Sequence, residues 1–370
     1  MSHRPGRLRR LYRALAVLAL TVAVAAPGTA AFGDSAHHPG PLRSWVKYCL
    51  RHRGPAGLVN CLKRHDRPQP PQHHLTSTIN ELPTPTANSA PLGITAGSDG
   101  ALWFTENAAN AVGTVTTTGL FTEYPVPTPN SGPAEITAGP DGALWFTESN
   151  TDTVGRIATD GTVTEYPVLS SGAYPWGITA GPDGALWFAE PGASNIGRIA
   201  TDGTVTEYPV PTFGAYPLSI AAGSDGALWF TEVLSGSIGR IATDGTVTEY
   251  PVPALDSLPI GITAGPDGAL WFTDAGAAQI GQVTTAGVFT GYNLTDPVLP
   301  FPWGITAGPD GALWFTETYG NDVGRITTSG TISELPVPTF GASPLEIATG
   351  SDGNLWFTEN VASQIGQVIP

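Results

Sequence analysis

Gly181-Pro182-Asp183-Gly184-Ala185-Leu186-Trp187-Phe188 is the stretch that decides the fold. Pro182 pre-sets φ for a turn, and Gly184 supplies the positive φ that closes it. Ala185 to Phe188 then reads as a strand, rich in residues that suit a packed sheet. The Asp-Gly-x-Leu-Trp-Phe core of this stretch also begins at Asp99, Asp141, Asp225, Asp267, Asp310 and Asp352. Successive copies lie 42, 42, 42, 42, 43 and 42 residues apart. A period of 40–45 residues built from short strands is that of a propeller blade.

Outward from this stretch, Gly177-Ile178-Thr179-Ala180 reads as an inner strand and Ile196-Gly197-Arg198-Ile199 as a third strand. An Asp202-Gly203 hairpin turn leads into a fourth, Thr204 to Tyr208. A four-stranded meander of this size cannot cover its own two faces, so neighbouring blades must do so. The fourth strand recurs at Glu123, Glu165, Glu207, Glu249, Gly291 and Glu334, which is six copies for seven units. The last unit stops after its third strand, at Ile365 to Pro370. Thr78 to Pro83 supplies the missing copy, with Glu81 in register 42 residues before Glu123. The expectation is an all-β, seven-bladed β-propeller over residues 76–370, closed by its N-terminal strand completing the last blade. Closure of this kind removes exposed sheet edges.

Residues 1–31 have the parts of an export signal: five arginines up to Arg13, an apolar run from Ala14 to Ala26, and small residues around Gly28 to Ala31. That run is too short to span a bilayer, which takes about 20 residues. A secreted, monomeric protein without a membrane span is expected. Residues 32–75 form a basic linker in which two short amphipathic helices are expected about Gly54-Pro55. Cys49 and Cys61 are the only cysteines, and in an exported chain they are expected to form a local disulfide. The pairs His37-His38 and His73-His74 read as solvated linker residues.

From Thr76 onward there are 29 acidic residues against four arginines, and no Lys, His, Cys or Met. Such a surface excludes nucleic acid, whose binding rests on neutralising phosphates. The absence of His, Lys and Cys removes the commonest bases and nucleophiles. The seven repeated tryptophans read as core and the Asp of each Asp-Gly pair as a turn residue. An acid closes the second strand of every blade (Glu106, Glu148, Glu190, Glu232, Asp274, Glu317, Glu359). In four blades an Arg follows eight residues later, which suggests diagonal ion pairs such as Glu190 with Arg198.

Breaks in the repeat are the functional candidates. Tyr174, Trp176, Tyr216, Phe301 and Trp303 fall where the last strand of one blade leads to the first of the next, at one mouth of the central channel. Aromatics there suit a small-molecule or glycan ligand. Glu135 and Glu346 replace a small residue (Gly93, Gly177, Ser219, Gly261, Gly304) just before an inner-strand Ile. As a pair in one channel they could share a cation or act as an acid pair.

Tyr-Pro-Trp-Gly-Ile-Thr-Ala-Gly-Pro-Asp-Gly-Ala-Leu-Trp-Phe from Tyr174, followed by Ile-Gly-Arg-Ile and Thr-Glu-Tyr-Pro-Val-Pro, resembles the streptogramin B (virginiamycin B) lyases over Thr76 to Pro370. The resemblance implies elimination across the ester C–O bond of a cyclic depsipeptide, assisted by Mg²⁺ and a histidine base. It places the histidines directly after the Pro that opens an inner strand. Those positions here are Leu92, Ala134, Trp176, Leu218, Ile260, Trp303 and Leu345, and none is a histidine. It places metal-linked glutamates just before that Pro, or four residues past the blade Trp. The first set is Ala90, Gly132, Tyr174, Tyr216, Leu258, Phe301 and Ser343; the second is Asn107, Ser149, Pro191, Val233, Ala275, Thr318 and Asn360. No carboxylate stands in either set. The expectation is a lyase-like propeller that binds a ligand at its mouth without the lyase chemistry. The alternatives are a Mg²⁺-dependent C–O lyase, or a lactone hydrolase resembling gluconolactonases.

Overall fold

The computed structural model describes residues 77–294 and 300–369. The proposed export signal, the basic linker and the Cys49–Cys61 pair lie outside the described residues. Within them the chain forms seven four-stranded antiparallel sheets and no helix. The inner strands are Pro91–Ala96, Pro133–Ala138, Ile178–Ala180, Pro217–Ala222, Pro259–Ala264, Pro302–Ala307 and Pro344–Thr349, numbered here as blades one to seven. Each inner strand neighbours the next around the ring, and that of blade seven neighbours that of blade one. Thr78–Pro83 pairs antiparallel with Gln364–Ile369, from Thr78 opposite Ile369 to Pro83 opposite Gln364, and so completes blade seven. The closure read from the sequence is the closure found.

Burial explains the repeat. Trp187 is fully buried with Ile196 and Val210 against Ile220, Leu228, Phe230 and Ile241 of blade four. The closing interface has the same composition: Trp356 and Ile365 meet Ile94, Leu102, Phe104 and Val115 of blade one. Neither blade could bury these faces alone, and burial of such side chains is worth about 1.5–3 kcal/mol each. Third-strand glycines follow from the same packing. A Cβ at Gly197 would overlap the Phe188 ring that lies across it.

Blades are also stitched by hydroxyls. In six inner strands the register slips between the opening Pro and the Ile three residues later. A second-strand threonine fills each gap. Thr231 accepts from the Ser219 N–H at 3.0 Å and donates to the Ile260 carbonyl of the next blade at 2.8 Å. Blade three has Ala189 at that position. There the ladder runs without a slip, Trp176 N–H donating to the Ala189 carbonyl, and Gly177 N–H reaches the Leu218 carbonyl directly at 2.9 Å. Removing the hydroxyl has moved the inter-blade bond onto the backbone, because a buried N–H must find a partner.

The expected ion pairs between second-strand acids and arginines do not form. Arg198 lies opposite Trp187, whereas Glu190 lies opposite Asn195, so the two point to different ends of the blade. Arg198 instead pairs with Asp183 at 2.6 Å, and Arg156, Arg240 and Arg325 pair with Asp141, Asp225 and Asp310 at 2.6–2.7 Å.

Candidate functional site at the channel mouth

The meander places the Asp-Gly turns at one end of every blade and the loops before each inner strand at the other. The turn end is uniform. Each turn Asp accepts from the indole N–H of its own blade Trp at 3.0–3.2 Å. In blades two to seven it also accepts from an Arg or Gln on the third strand. Burial alone would raise the Asp183 carboxyl, but the bonds from Trp187 and Arg198 outweigh it and hold it below its ordinary value. All four arginines of the propeller are spent at this end.

At the mouth end the second-strand acids are fully buried. Burial, and next the charge of the fourth-strand Glu165, push the Glu148 carboxyl up to about 8. Glu190 and Glu359 are likewise pushed to about 8, and Glu106 and Glu232 to about 7, in each case chiefly by burial. The fourth-strand partner accepts from the loop of the preceding blade: Glu165 from Thr128 N–H at 3.0 Å and its hydroxyl at 2.9 Å. Glu81 does the same for Thr339, tying the closing strand to blade six. In these blades the buried acid thus stands beside a second carboxyl tied to the neighbouring blade, a structural lock and not an open site. Blade five departs from it. Asp274 accepts from Leu258 N–H, Ala277 N–H and the Gln279 amide, and its fourth-strand partner is Gly291.

The sequence-selected aromatics divide into two kinds. Trp176 and Trp303 are buried, at 9% and 2% exposure, and belong to the rim packing. Tyr174 is 55% exposed, and Tyr216 and Phe301 are partly open. Burial first, and then the neighbouring Tyr174, raises the Tyr216 phenol above its ordinary value. Phe301 packs between Trp303, centroids 6.2 Å apart, and Tyr319, centroids 4.9 Å apart. Tyr319, 54% exposed, was missed by sequence reading. The signal was present: the equivalent positions are Ala108, Asn150, Gly192, Leu234, Gly276 and Val361, so Tyr319 also breaks the repeat.

Tyr174, Tyr216 and Phe301 all have left-handed backbone, with φ of 51°, 60° and 50°. Ala90, Gly132 and Ser343 adopt it at the same place in other blades, so the scaffold sets this geometry. Glycine would take it with least strain. Bulky aromatics there are held against a backbone cost, which is where function is to be sought. For Tyr174 the hold is Asp152, which accepts its N–H at 3.0 Å and that of Gly172 at 2.6 Å.

Glu135 and Glu346 stand three residues further along their inner strands than the left-handed position, about 10 Å deeper at 3.3 Å per residue. They flank blade one, whose equivalent residue is Gly93. A Cβ at Gly93 would meet Glu135 Oε2 at 2.9 Å, and one at Gly304 would meet Glu346 Oε2 at 2.9 Å, so each side chain lies across the glycine of the preceding blade. Burial raises both carboxyls above the ordinary range. The charge of Glu346 raises Glu135 further, while the Trp303 indole N–H, hydrogen-bonded to Glu346, draws that group back. The two carboxyls therefore interact, and both are held above the ordinary carboxylate range.

No group of three or more His, Cys, Asp or Glu side chains suited to a metal ion occurs among the described residues. The positions at which a lyase would hold Mg²⁺ are filled by residues such as Tyr174, Leu258 and Phe301, and Glu135 with Glu346 supplies two carboxylates. This donor set does not fit the ion.

The chain matches the model of the virginiamycin B lyase family over residues 77–300 and 298–370. It is similar to a streptogramin B lyase of known structure, with 39% identity and a TM-score of 0.76, over 79% of this chain and 97% of that one. A virginiamycin B lyase from Staphylococcus aureus matches equally well, at 39% identity and TM-score 0.76 over 80% and 99%. A catalytically inactive histidine-to-alanine variant of the S. aureus enzyme, solved with quinupristin, matches at 38% identity and TM-score 0.76 over the same shares.

Proposed function

The chain belongs to the virginiamycin B lyase family, and we propose that it is an exported member that binds a small molecule or glycan at its mouth without the lyases' elimination chemistry. The observation that carries this reading is the absence of any histidine from residue 75 onward. A relative that has lost one histidine is inactive, and here all seven inner-strand positions lack it. Linearising a depsipeptide by elimination needs a base at the α-carbon and a means to steady the enolate. The partly open mouth residues Tyr174, Tyr216, Phe301 and Tyr319 offer flat apolar faces to a ligand. Export rests on the basic and apolar segments of residues 1–31.

A second reading keeps an enzyme. Glu135 and Glu346, two interacting carboxyls both raised by burial, are the arrangement a lyase without histidine or a lactone hydrolase would use. One experiment separates the two readings. Protein collected from culture medium, its N-terminal residue determined, is incubated with quinupristin and Mg²⁺ and followed by chromatography with mass detection. Unaltered antibiotic is the expected result. A new peak of unchanged mass means elimination, and a mass higher by one water means hydrolysis. Either product, if abolished by Glu135→Gln, would establish the second reading in place of the first.

A further inference from the structure

The mouth is not seven-fold in its chemistry. Just before the opening Pro of the inner strand, blades three to six carry Tyr174, Tyr216, Leu258 and Phe301, whereas blades seven, one and two carry Ser343, Ala90 and Gly132; all of these but Leu258 are left-handed. One residue past each second-strand acid the division repeats. Blades three to five have Pro191, Val233 and Ala275, and blades six, seven, one and two have Thr318, Asn360, Asn107 and Ser149. The polar members are fixed in place: Asn107, Thr318 and Asn360 each donate to the opening-Pro carbonyl of the next blade at 3.0–3.1 Å. One half of the rim is therefore bulky and apolar, and the other small and polar. Glu135 lies across Gly93 of blade one, below the small, polar half, and Glu346 lies across Gly304 of blade six, where that half meets the bulky one.

Their charge has no cationic partner within the described propeller. The four arginines are paired with aspartates at the opposite end, and no Lys or His is present from residue 75 onward. The Trp303 indole offers a single N–H dipole. An anionic ligand would be repelled from this floor, and a neutral one would leave its charge uncompensated in a poorly solvated channel, where Coulomb interactions are stronger than in water.

We propose that the mouth takes an organic cation with an apolar body, an ammonium group above Glu135 and Glu346 and the body against the arc of Tyr174, Tyr216 and Phe301. This rests on the reading of the mouth as a ligand site and adds the chemical class of the ligand. Tyr and Phe rings attract an ammonium group through their faces as well as packing against its apolar part, so the two halves of the rim act on one molecule.

The test is calorimetric titration of the full chain with three probes: benzyltrimethylammonium, choline, and 3,3-dimethylbutan-1-ol, which is choline with its charged nitrogen replaced by carbon. Choline is expected to bind at least about tenfold more tightly than the alcohol. Benzyltrimethylammonium is expected to bind more tightly again. The double substitution Glu135→Gln with Glu346→Gln should erase the preference for choline, and Tyr216→Ala with Phe301→Ala should erase only the gain from the benzyl group. Choline binding to the unsubstituted protein should also weaken as NaCl rises, which keeps the test available if the Gln variants unfold. Equal binding of choline and the alcohol, or no binding by either cation, overturns the cation reading. If equal binding is also weakened by Tyr216→Ala with Phe301→Ala, the mouth reading survives. Cation binding that ignores the aromatic substitutions but is lost with the Gln pair overturns the mouth reading instead.

Discussion

The turn end and the mouth end of the same blades follow different rules. At the turn end every blade has the same Asp and the same indole N–H bonded to it. At the mouth, a residue three positions before an inner-strand Gly, Ser or Glu is Ala, Gly, Tyr, Leu, Phe or Ser. The difference teaches what repetition means in this molecule. Identity at the turn end is imposed by the inter-blade interface, which is the same seven times. Variation at the mouth is permitted because those side chains face the channel opening, and it is used unevenly around the ring.

If the turn end is packing, breaking it should cost most. Trp187→Ala removes a fully buried indole from the interface of blades three and four and leaves Asp183 and Arg198 without their third member. A loss of about 3–5 kcal/mol is expected, read as a lowered midpoint in urea unfolding. A loss below about 1 kcal/mol would mean that the interface does not depend on the repeated indole.

The carboxyl pairs give the next largest effect, through pH. Glu106, Glu148, Glu190, Glu232 and Glu359 have folded-state values of about 7 or 8 against an ordinary 4.5. The folded state thus binds more protons than the unfolded chain between pH 4.5 and about 8, and stability falls as pH rises through that window. The turn aspartates act in the opposite sense. Asp141, Asp183, Asp225 and Asp310 are held below their ordinary value, so their contribution is lost only as pH falls through that lowered range. Thermal midpoints should therefore peak at about pH 4–4.5 and decline toward about pH 8. Glu148→Gln, a neutral stand-in for the protonated carboxyl, should make that decline shallower. A midpoint constant from pH 5 to 9 would show that these carboxyls are charged in the fold.

The smallest effect on stability belongs to the mouth. Tyr319→Ala removes a ring 54% exposed that touches Phe301, and the thermal midpoint should move little, equivalent to within about 0.5 kcal/mol. A change as large as that of Trp187→Ala would move this arc from the ligand surface into the core and collapse the distinction between the two ends.

Much of this was readable from residue order. Seven copies of Asp-Gly-x-Leu-Trp-Phe at one period require seven blades, and the Glu81 register requires closure by the first strand, because no other segment can cover the last edge. The absence of histidine and the two odd glutamates were equally plain. Sequence spacing failed where an offset had to be turned into a direction. Glu190 and Arg198 are eight residues apart, but the register places Arg198 opposite Trp187 and Glu190 opposite Asn195. The arginine thus joins Asp183, fifteen residues away, and the acid is buried beside another acid.

By itself the sequence determined the number of blades, their order, their closure and the poverty of the propeller in basic groups, since these depend only on which residues recur and at what interval. Tertiary structure alone decided which aromatics are open and which are buried: Trp303 at 2% exposure and Tyr174 at 55% occupy neighbouring places in the same motif. It also decided that Glu135 and Glu346, 211 positions apart in the chain, face one channel. Ring geometry sets both, because a side chain's surroundings in a propeller come mostly from the adjoining blades, and only closure of the ring brings the second and seventh within reach of each other.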